Sequence, residues 1–61
     1  MDPNANLQEQ LELARQFADM NDPDLEVEVV DVLRLAELVI SLDNWITHNG
    51  FLPQRWKEKQ P

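Results

Sequence analysis

The sequence predicts an all-α fold, an antiparallel two-helix hairpin with a tucked C-terminal tail. Two segments, 4–20 and 25–49, repeat apolar side chains every three or four positions, which is the period of an amphipathic helix. The turn-type sequence Asn-Asp-Pro-Asp at 21–24 separates them. Since 61 residues leave room for one domain, we expect a single helical domain over 1–61 with the tail at 50–61.

The first helix has two candidate starts. Asp2 and Pro3 are suited to an N-cap and to the first helical position. Asn6, with Glu9 three residues later, resembles a capping box. From either start, the helix is expected to end near Met20, because the following turn sequence cannot continue it.

Residues 25–29 alternate apolar and acidic side chains, a pattern that taken alone is typical of a strand. No other segment is suited to pair with such a strand, which leaves two interpretations. The segment is either an extended approach to the second helix or its first turns, where acidic residues favour the positive end of the helix dipole. We favour the second interpretation, with a helix from about residue 25.

The second helix carries more apolar surface than the first helix can cover. Twelve of the eighteen residues in 29–46 are apolar, and all but one fall in an arc of about 240° on a helical wheel. A helix lying on one core needs an apolar stripe of only about 100°. We therefore expect two hairpins to pair into a four-helix bundle, a symmetric dimer. The predicted oligomer interface consists of Val32, Leu35, Val39, Ile40, Leu42 and Ile46.

The second helix is expected to end at Asn49 and Gly50. Gly50 suits the left-handed conformation that often follows the last helical turn. Pro53 then prevents the helix from continuing. The tail is expected to make one short turn that places Trp56 against the bundle.

Asp43 falls inside the apolar arc of the second helix. A buried carboxylate without a partner is costly, so it needs a hydrogen-bond donor. The nearest donors along the chain are the Trp56 indole N–H and the Arg55 guanidinium. The sequence therefore predicts a tail lock in which Asp43 binds Trp56 or Arg55, and the alternative is a solvated Asp43 near the helix end.

The composition is acidic, with twelve Asp and Glu against five Lys and Arg and a net charge of −7. Direct binding to DNA or to anionic membranes is not expected, because affinity for phosphates needs basic side chains. The longest uninterrupted apolar run, 38–40, is far shorter than the roughly 20 residues that span a bilayer. The first residues also lack the basic and apolar regions of a signal peptide, so we expect a cytoplasmic protein.

The sequence predicts no catalytic set, no metal site and no cofactor. Ser41 and His48 lie about two helical turns apart, too far for the hydrogen bond that a nucleophile and its base require. The chain has no cysteine. The acidic residues of 22–28 alternate as in a calcium loop, but Val27 stands at the position where that loop requires glycine.

Four residues near the C-terminal end are candidate contacts for a ligand or partner: His48, Arg55, Trp56 and Lys57. Cations beside an aromatic ring can stack a base and hold a phosphate. The simpler interpretation is that the aromatic residues of this region close the end of the core. The acidic body also permits mimicry of nucleic-acid phosphates, although most small acidic proteins are merely soluble.

Three motifs between Leu35 and Trp56 carry a resemblance: Leu-Ala-Glu-Leu-Val at 35–39, Leu-Asp-x-Trp-Ile at 42–46 and Gly-Phe-Leu-Pro-x-x-Trp at 50–56. This segment resembles a group of short phage-encoded accessory proteins of uncharacterised function. The sequence departs from that group at Asn49, where the group has glycine, and at Ile46, where leucine is usual. The resemblance implies a phage origin and an accessory role in an infected cell, and it implies no mechanism.

These features favour a small acidic interaction protein that binds a host or phage protein as an inhibitor or adaptor, without catalysis. One alternative is an oligomer that sequesters a phosphorylated small molecule or a nucleotide. A further alternative is a structural or assembly component. The sequence does not identify the partner.

Overall fold

The computed structural model describes residues 1–20 and 26–58, and these residues contain no strand. They form three helices, α1 (Pro3–Ala18), α2 (Val29–Thr47) and the short α3 (Gln54–Lys57). α1 and α2 pack against each other. The predicted all-α helical hairpin is therefore confirmed, and the predicted turn at 21–24 lies outside the described residues.

α1 begins at the first of its two candidate starts. Asp2 is the N-cap, and its Oδ1 accepts hydrogen bonds from the N–H groups two and three residues later, at 2.9 and 3.2 Å. Pro3 occupies the first helical position, where its missing N–H would have no partner within the helix. The helix ends at Ala18 with Asp19 as the C-cap, close to the predicted end.

α2 begins at Val29, later than the predicted start near residue 25. Residues 26–28 precede the helix, and the N-cap Glu28 has an extended backbone, with φ −67° and ψ 125°. The extended approach is thus the interpretation that holds for these residues. Acidic residues are as favourable just before a helix as in its first turn, so the acidic side chains of 26–28 do not require added helical turns.

α2 ends in a Schellman motif that is one residue earlier than predicted. Asn49, not Gly50, adopts the left-handed conformation, with φ 69°. The Asn49 N–H donates to the Ile46 carbonyl at 3.1 Å, and the Gly50 N–H donates to the Trp45 carbonyl at 2.8 Å. These two hydrogen bonds define the motif. Asparagine replaces glycine here because its short polar side chain tolerates this conformation better than most.

Gly50 is required for a different reason, which is the close approach of Trp45. A Cβ atom built on Gly50 would overlap the indole ring. The indole Nε1–H donates to the Phe51 carbonyl at 2.9 Å, and the two rings meet edge to face with centroids 5.4 Å apart. Trp45 therefore ties the end of α2 to the loop that follows it.

The residue of the tail that is buried against the hairpin is Pro53, and not Trp56 as predicted. Pro53 is fully buried, whereas Trp56 is 40% exposed. The Gln54 N–H donates to Asn4 Oδ1 at 2.6 Å, so the first turn of α1 provides a partner for one of the N–H groups that the start of α3 leaves unpaired. This hydrogen bond joins the two ends of the described chain.

Polar contacts between α1 and α2 show that the helices are antiparallel. Gln16 Nε2 donates to Asp31 Oδ2 at 3.5 Å, and Asn6 Nδ2 donates to the Leu38 carbonyl at 3.0 Å. The later position on α1 thus meets the earlier position on α2.

Asn6 is a buried polar residue in the small core between the two helices, and sequence reasoning placed it only as a possible cap. Its Oδ1 accepts from Gln10 Nε2 at 2.6 Å, so both polar atoms of its side chain have partners. The buried leucines of this core are Leu7, Leu38 and Leu42. A polar pair of this kind fixes the position of the helices, because a buried amide without partners is costly.

Candidate interaction surface on α2

One side of α2 is apolar and faces away from α1. The buried Leu38 and Leu42 mark the side that packs in the hairpin core. The outer face of α2 is the exposed surface that consists of Val29, Val32, Leu33, Ala36, Val39, Ile40 and Asp43. It runs along most of the helix and covers about 120° of its circumference.

The outer face exposes several large apolar side chains next to one another. Val29, Leu33 and Ile40 are each more than 60% exposed. Single exposed apolar residues are ordinary on protein surfaces. A contiguous apolar patch, in contrast, is typical of interaction sites.

The spacing within the outer face is that of a helix-pairing seam. Val29, Ala36 and Asp43 are seven residues apart, and Val32 and Val39 stand between them. This is the heptad pattern in which successive side chains enter the spaces of a facing helix. The outer face is therefore suited to receive another helix along its length.

The predicted oligomer interface is divided between two surfaces. Val32, Val39 and Ile40 lie on the outer face, whereas Leu35 and Ile46 are half-buried beside it. These positions remain compatible with the prediction, but Leu42 does not. Leu42 is 3% exposed in the hairpin core, so its assignment to an interface between copies was wrong. A wheel shows the width of an apolar arc and does not show which part the neighbouring helix covers.

A groove of about 240 Å³ adjoins the outer face near the C-terminal end of α2. Its lining is mostly apolar and combines all three helices: Gln10, Val39, Leu42, Asp43, Ile46 and Trp56. Asp43 and Val39 belong to the outer face as well. A helix that lay along the outer face would therefore pass beside this groove.

The predicted tail lock is not formed. Asp43 is exposed, and within residues 1–20 and 26–58 no hydrogen bond or ion pair joins it to Arg55 or Trp56. Asp43 and Trp56 do line the same groove, so the tail folds back to this region as expected. The carboxylate lies outside the part of the apolar arc that α1 covers, and it therefore needs no buried donor.

The four candidate ligand contacts are spread over the end of α2 and α3. His48 Nδ1 lies 2.7 Å from the Asn44 carbonyl oxygen at the end of α2. Lys57 Nζ lies 5.8 Å from the centre of the Phe51 ring, a cation–π distance. Arg55 and Trp56 share α3 with Lys57. Since Lys57 and His48 already contact their own chain, the grouping of these four residues as a phosphate or nucleotide site stays a prediction.

Arg34 forms an ion pair that joins α2 to α1. Its Nε lies 2.6 Å from Glu9 Oε2 and its Nη2 lies 2.9 Å from Glu9 Oε1, a bidentate arrangement, and Glu37 Oε1 lies 3.3 Å from Nη1. The hydrogen bonds from Arg34 lower the pKa of Glu9 and the same pair raises the pKa of Arg34. Because the positive charge of Arg34 is paired with Glu9 and Glu37, it does not offset the other acidic side chains. The hairpin surface is therefore predominantly acidic.

Within residues 1–20 and 26–58, no group of three or more His, Asp or Glu is placed to hold a metal ion. The same residues include no helix with the length and apolar character needed to cross a membrane.

Comparison with known proteins adds no further constraint. The chain matches no protein-family model, and searches of the curated proteins and of the solved structures find no match. The chemistry of its own residues, and above all the outer face of α2, carries the functional interpretation.

Proposed function

We propose that this chain is a small acidic interaction protein without catalysis, and that two copies pair through the outer face of α2 into a four-helix bundle. The exposure of the apolar side chains on the outer face of α2 is the observation that supports this proposal. Burying a leucine, isoleucine or valine side chain is favourable by about 1.5–3 kcal/mol. The several exposed side chains of the outer face therefore favour association strongly.

The paired form would present acidic surfaces to a protein partner. The net charge of −7 for each chain favours a basic surface on a host or phage protein, which the pair would bind as an inhibitor or adaptor. Complementary charge speeds association and selects among partners. The phage-type role and the cytoplasmic location stay predictions.

The pairing is tested by placing a charge in the middle of the outer face. Ile40→Glu should convert the dimer to a monomer, because pairing would bury an uncompensated carboxylate. Light scattering after size exclusion measures the mass, and circular dichroism checks that the helices remain. Ser41→Glu is the matched control, since it adds the same charge at the next, polar position, which lies off the outer face. A dimeric Ile40→Glu variant would contradict the proposal.

The partner is tested by its response to salt. A protein retained from an extract by the immobilised chain should, once purified, bind the chain in solution with defined stoichiometry. Its affinity should fall as salt rises, because salt screens exposed charges. Binding that does not change with salt would show that the acidic surface is not the contact.

A further inference from the structure

We infer that the two copies pair antiparallel, so that α2 crosses α2 of the second copy at Ala36 and each Asp43 lies beside the first turn of the other α2. This inference rests on the proposed pairing through the outer face and adds its direction and its register. Three features of α2 carry it: the position of Asp43, the N-terminal end of the helix and the symmetry of the outer face about Ala36.

Asp43 decides between the two possible directions. It is the carboxylate of an otherwise apolar outer face. In a parallel pair, each residue of the seam faces its own counterpart, so the two Asp43 carboxylates would meet in an apolar interface. Like charges at such a site repel each other, and both lose water. In an antiparallel pair the two Asp43 carboxylates lie at opposite, solvent-exposed ends of the interface, where water and salt screen their repulsion with Glu28 and Asp31.

The N-terminal end of α2 offers hydrogen-bond donors, which Asp43 does not find among residues 1–20 and 26–58 of its own chain. The N-cap Glu28 makes no side-chain hydrogen bond to the first turn. The Asp31 N–H already donates to the Glu28 carbonyl at 3.1 Å, whereas the N–H groups of the first two helical residues have no partner within the helix. The helix dipole also makes this end favourable for a negative charge. Asp43 and Val29 stand seven residues on either side of Ala36, about 10.5 Å in each direction. A crossing at Ala36 therefore brings Asp43 of one chain beside the helix start of the other.

The outer face is self-complementary about Ala36. Leu33 precedes Ala36 by three residues and Val39 follows it by three. A two-fold axis at Ala36 places Leu33 of each copy against Val39 of the other copy. This reciprocal pairing is what an isologous interface requires. Ala36 itself has a small side chain, which permits a close approach of the two helices at the crossing.

The groove beside Asp43 fits the same arrangement. It opens next to the C-terminal half of the outer face, which in an antiparallel pair is covered by the N-terminal half of the other α2. Trp56, at 40% exposure, forms one wall of the groove and would lose solvent on pairing.

The pairing also brings acidic groups together, which gives it a salt dependence. Glu28 and Asp31 stand at the end of α2 that meets Asp43. Salt screens the repulsion between these carboxylates and Asp43. The affinity between copies should therefore rise with salt, opposite to the response expected for a basic partner.

Single cysteines map the register directly, because the chain contains none of its own. Ala36→Cys should oxidise to a covalent dimer. Val29→Cys and Asp43→Cys should each remain uncrosslinked alone and form a disulfide when the two variants are mixed, since a disulfide needs Cα atoms within about 7 Å. Leu33→Cys mixed with Val39→Cys tests the same register with Asp43 in place. Ser41→Cys, off the outer face, measures random collision.

Each outcome of the mapping has one meaning. The inference is supported if both mixed pairs form more disulfide than Ser41→Cys does and if Ala36→Cys forms a disulfide with itself. The mixed pairs are Val29→Cys with Asp43→Cys and Leu33→Cys with Val39→Cys. Self-linking of both Val29→Cys and Asp43→Cys shows a parallel pair and overturns it. A dimeric mass by sedimentation with neither mixed pair linked also overturns the inference and leaves the proposed function standing. A monomeric mass for the unmodified chain overturns both.

Discussion

The Trp45 indole leaves no room for a side chain at Gly50. The indole lies where a side chain on Gly50 would stand, and its N–H is bonded to the Phe51 carbonyl. The glycine was predictable from its place after α2, but its role was not. A sequence shows that glycine follows a helix and does not show whether the reason is a left-handed backbone or a ring packed against it.

Gly50→Ala should therefore lower the free energy of unfolding by about 1–3 kcal/mol, the usual cost of overpacking. Urea denaturation followed by circular dichroism measures this change. Asn49→Gly is the neighbouring control, because glycine accepts the left-handed conformation of that position, and it should keep nearly the full stability. A Gly50→Ala variant as stable as the unmodified chain would show that the indole does not lie against this residue.

Asn49→Ala should be less stable than the unmodified chain, because alanine lacks the polar side chain by which asparagine tolerates the left-handed region, and about 1–2 kcal/mol less stable than Asn49→Gly, which has no Cβ to approach the following carbonyl oxygen. The same denaturation assay measures it against Asn49→Gly. Equal stability of the alanine and glycine variants would contradict the Schellman motif centred on Asn49.

Asn6→Ala should lower the free energy of unfolding by about 1–3 kcal/mol, because the Leu38 carbonyl and Gln10 amide lose a partner in the core. Gln8→Ala is the control on the same helix. Gln8 is exposed, and its loss should change stability by less than about 0.5 kcal/mol. If the two variants unfold alike, the amide of Asn6 does not join the helices.

The helices themselves were largely predictable, and their ends less so. The start of α1 at Asp2 and Pro3 was predictable because the N-cap hydrogen bonds and the proline at the first helical position involve only residues within one turn. The start of α2 was predicted near residue 25, but the helix begins at Val29. The prediction was too early because acidic residues are as favourable just before a helix as in its first turn. The attachment of α3 through Asn4 was not predictable, because it joins residues that are far apart in the sequence.

Asn4→Ala should loosen α3 from α1, because the Gln54 N–H loses its acceptor. Trypsin should then cleave faster after Arg55 and Lys57, which are exposed in α3. Gln8→Ala again provides the comparison, with cleavage expected at the unmodified rate. Identical rates for all three proteins would show that this hydrogen bond does not hold the tail.

The pair of Glu9 and Arg34 gives the hairpin a dependence on pH. The pKa of Glu9 is lowered in the folded chain from the ordinary 4.5, so its contribution is fully present above 4.5 and is lost as the pH falls through the folded pKa. Glu9→Gln should therefore flatten the acid limb of stability against pH below 4.5. The difference should be small and should shrink in salt, because the pair is exposed. An unchanged acid limb would contradict the role of the pair.

At the level of the whole molecule, the width of the apolar arc on α2 predicted that one hairpin cannot cover its own second helix. The outer face agrees with that expectation. Leu42 and Asp43 were misplaced for a common reason, since both assignments depend on which part of the arc α1 occupies. That choice is made by contacts such as Asn6 with Leu38, which no helical wheel contains.

Sedimentation equilibrium of the unmodified chain, from nanomolar to high micromolar concentration, tests most directly whether the outer face is covered by a second copy. We predict a mass of twice the 7.1 kDa of the chain at high concentration, with reversible dissociation on dilution. A folded chain that remains at 7.1 kDa throughout that range would contradict the pairing.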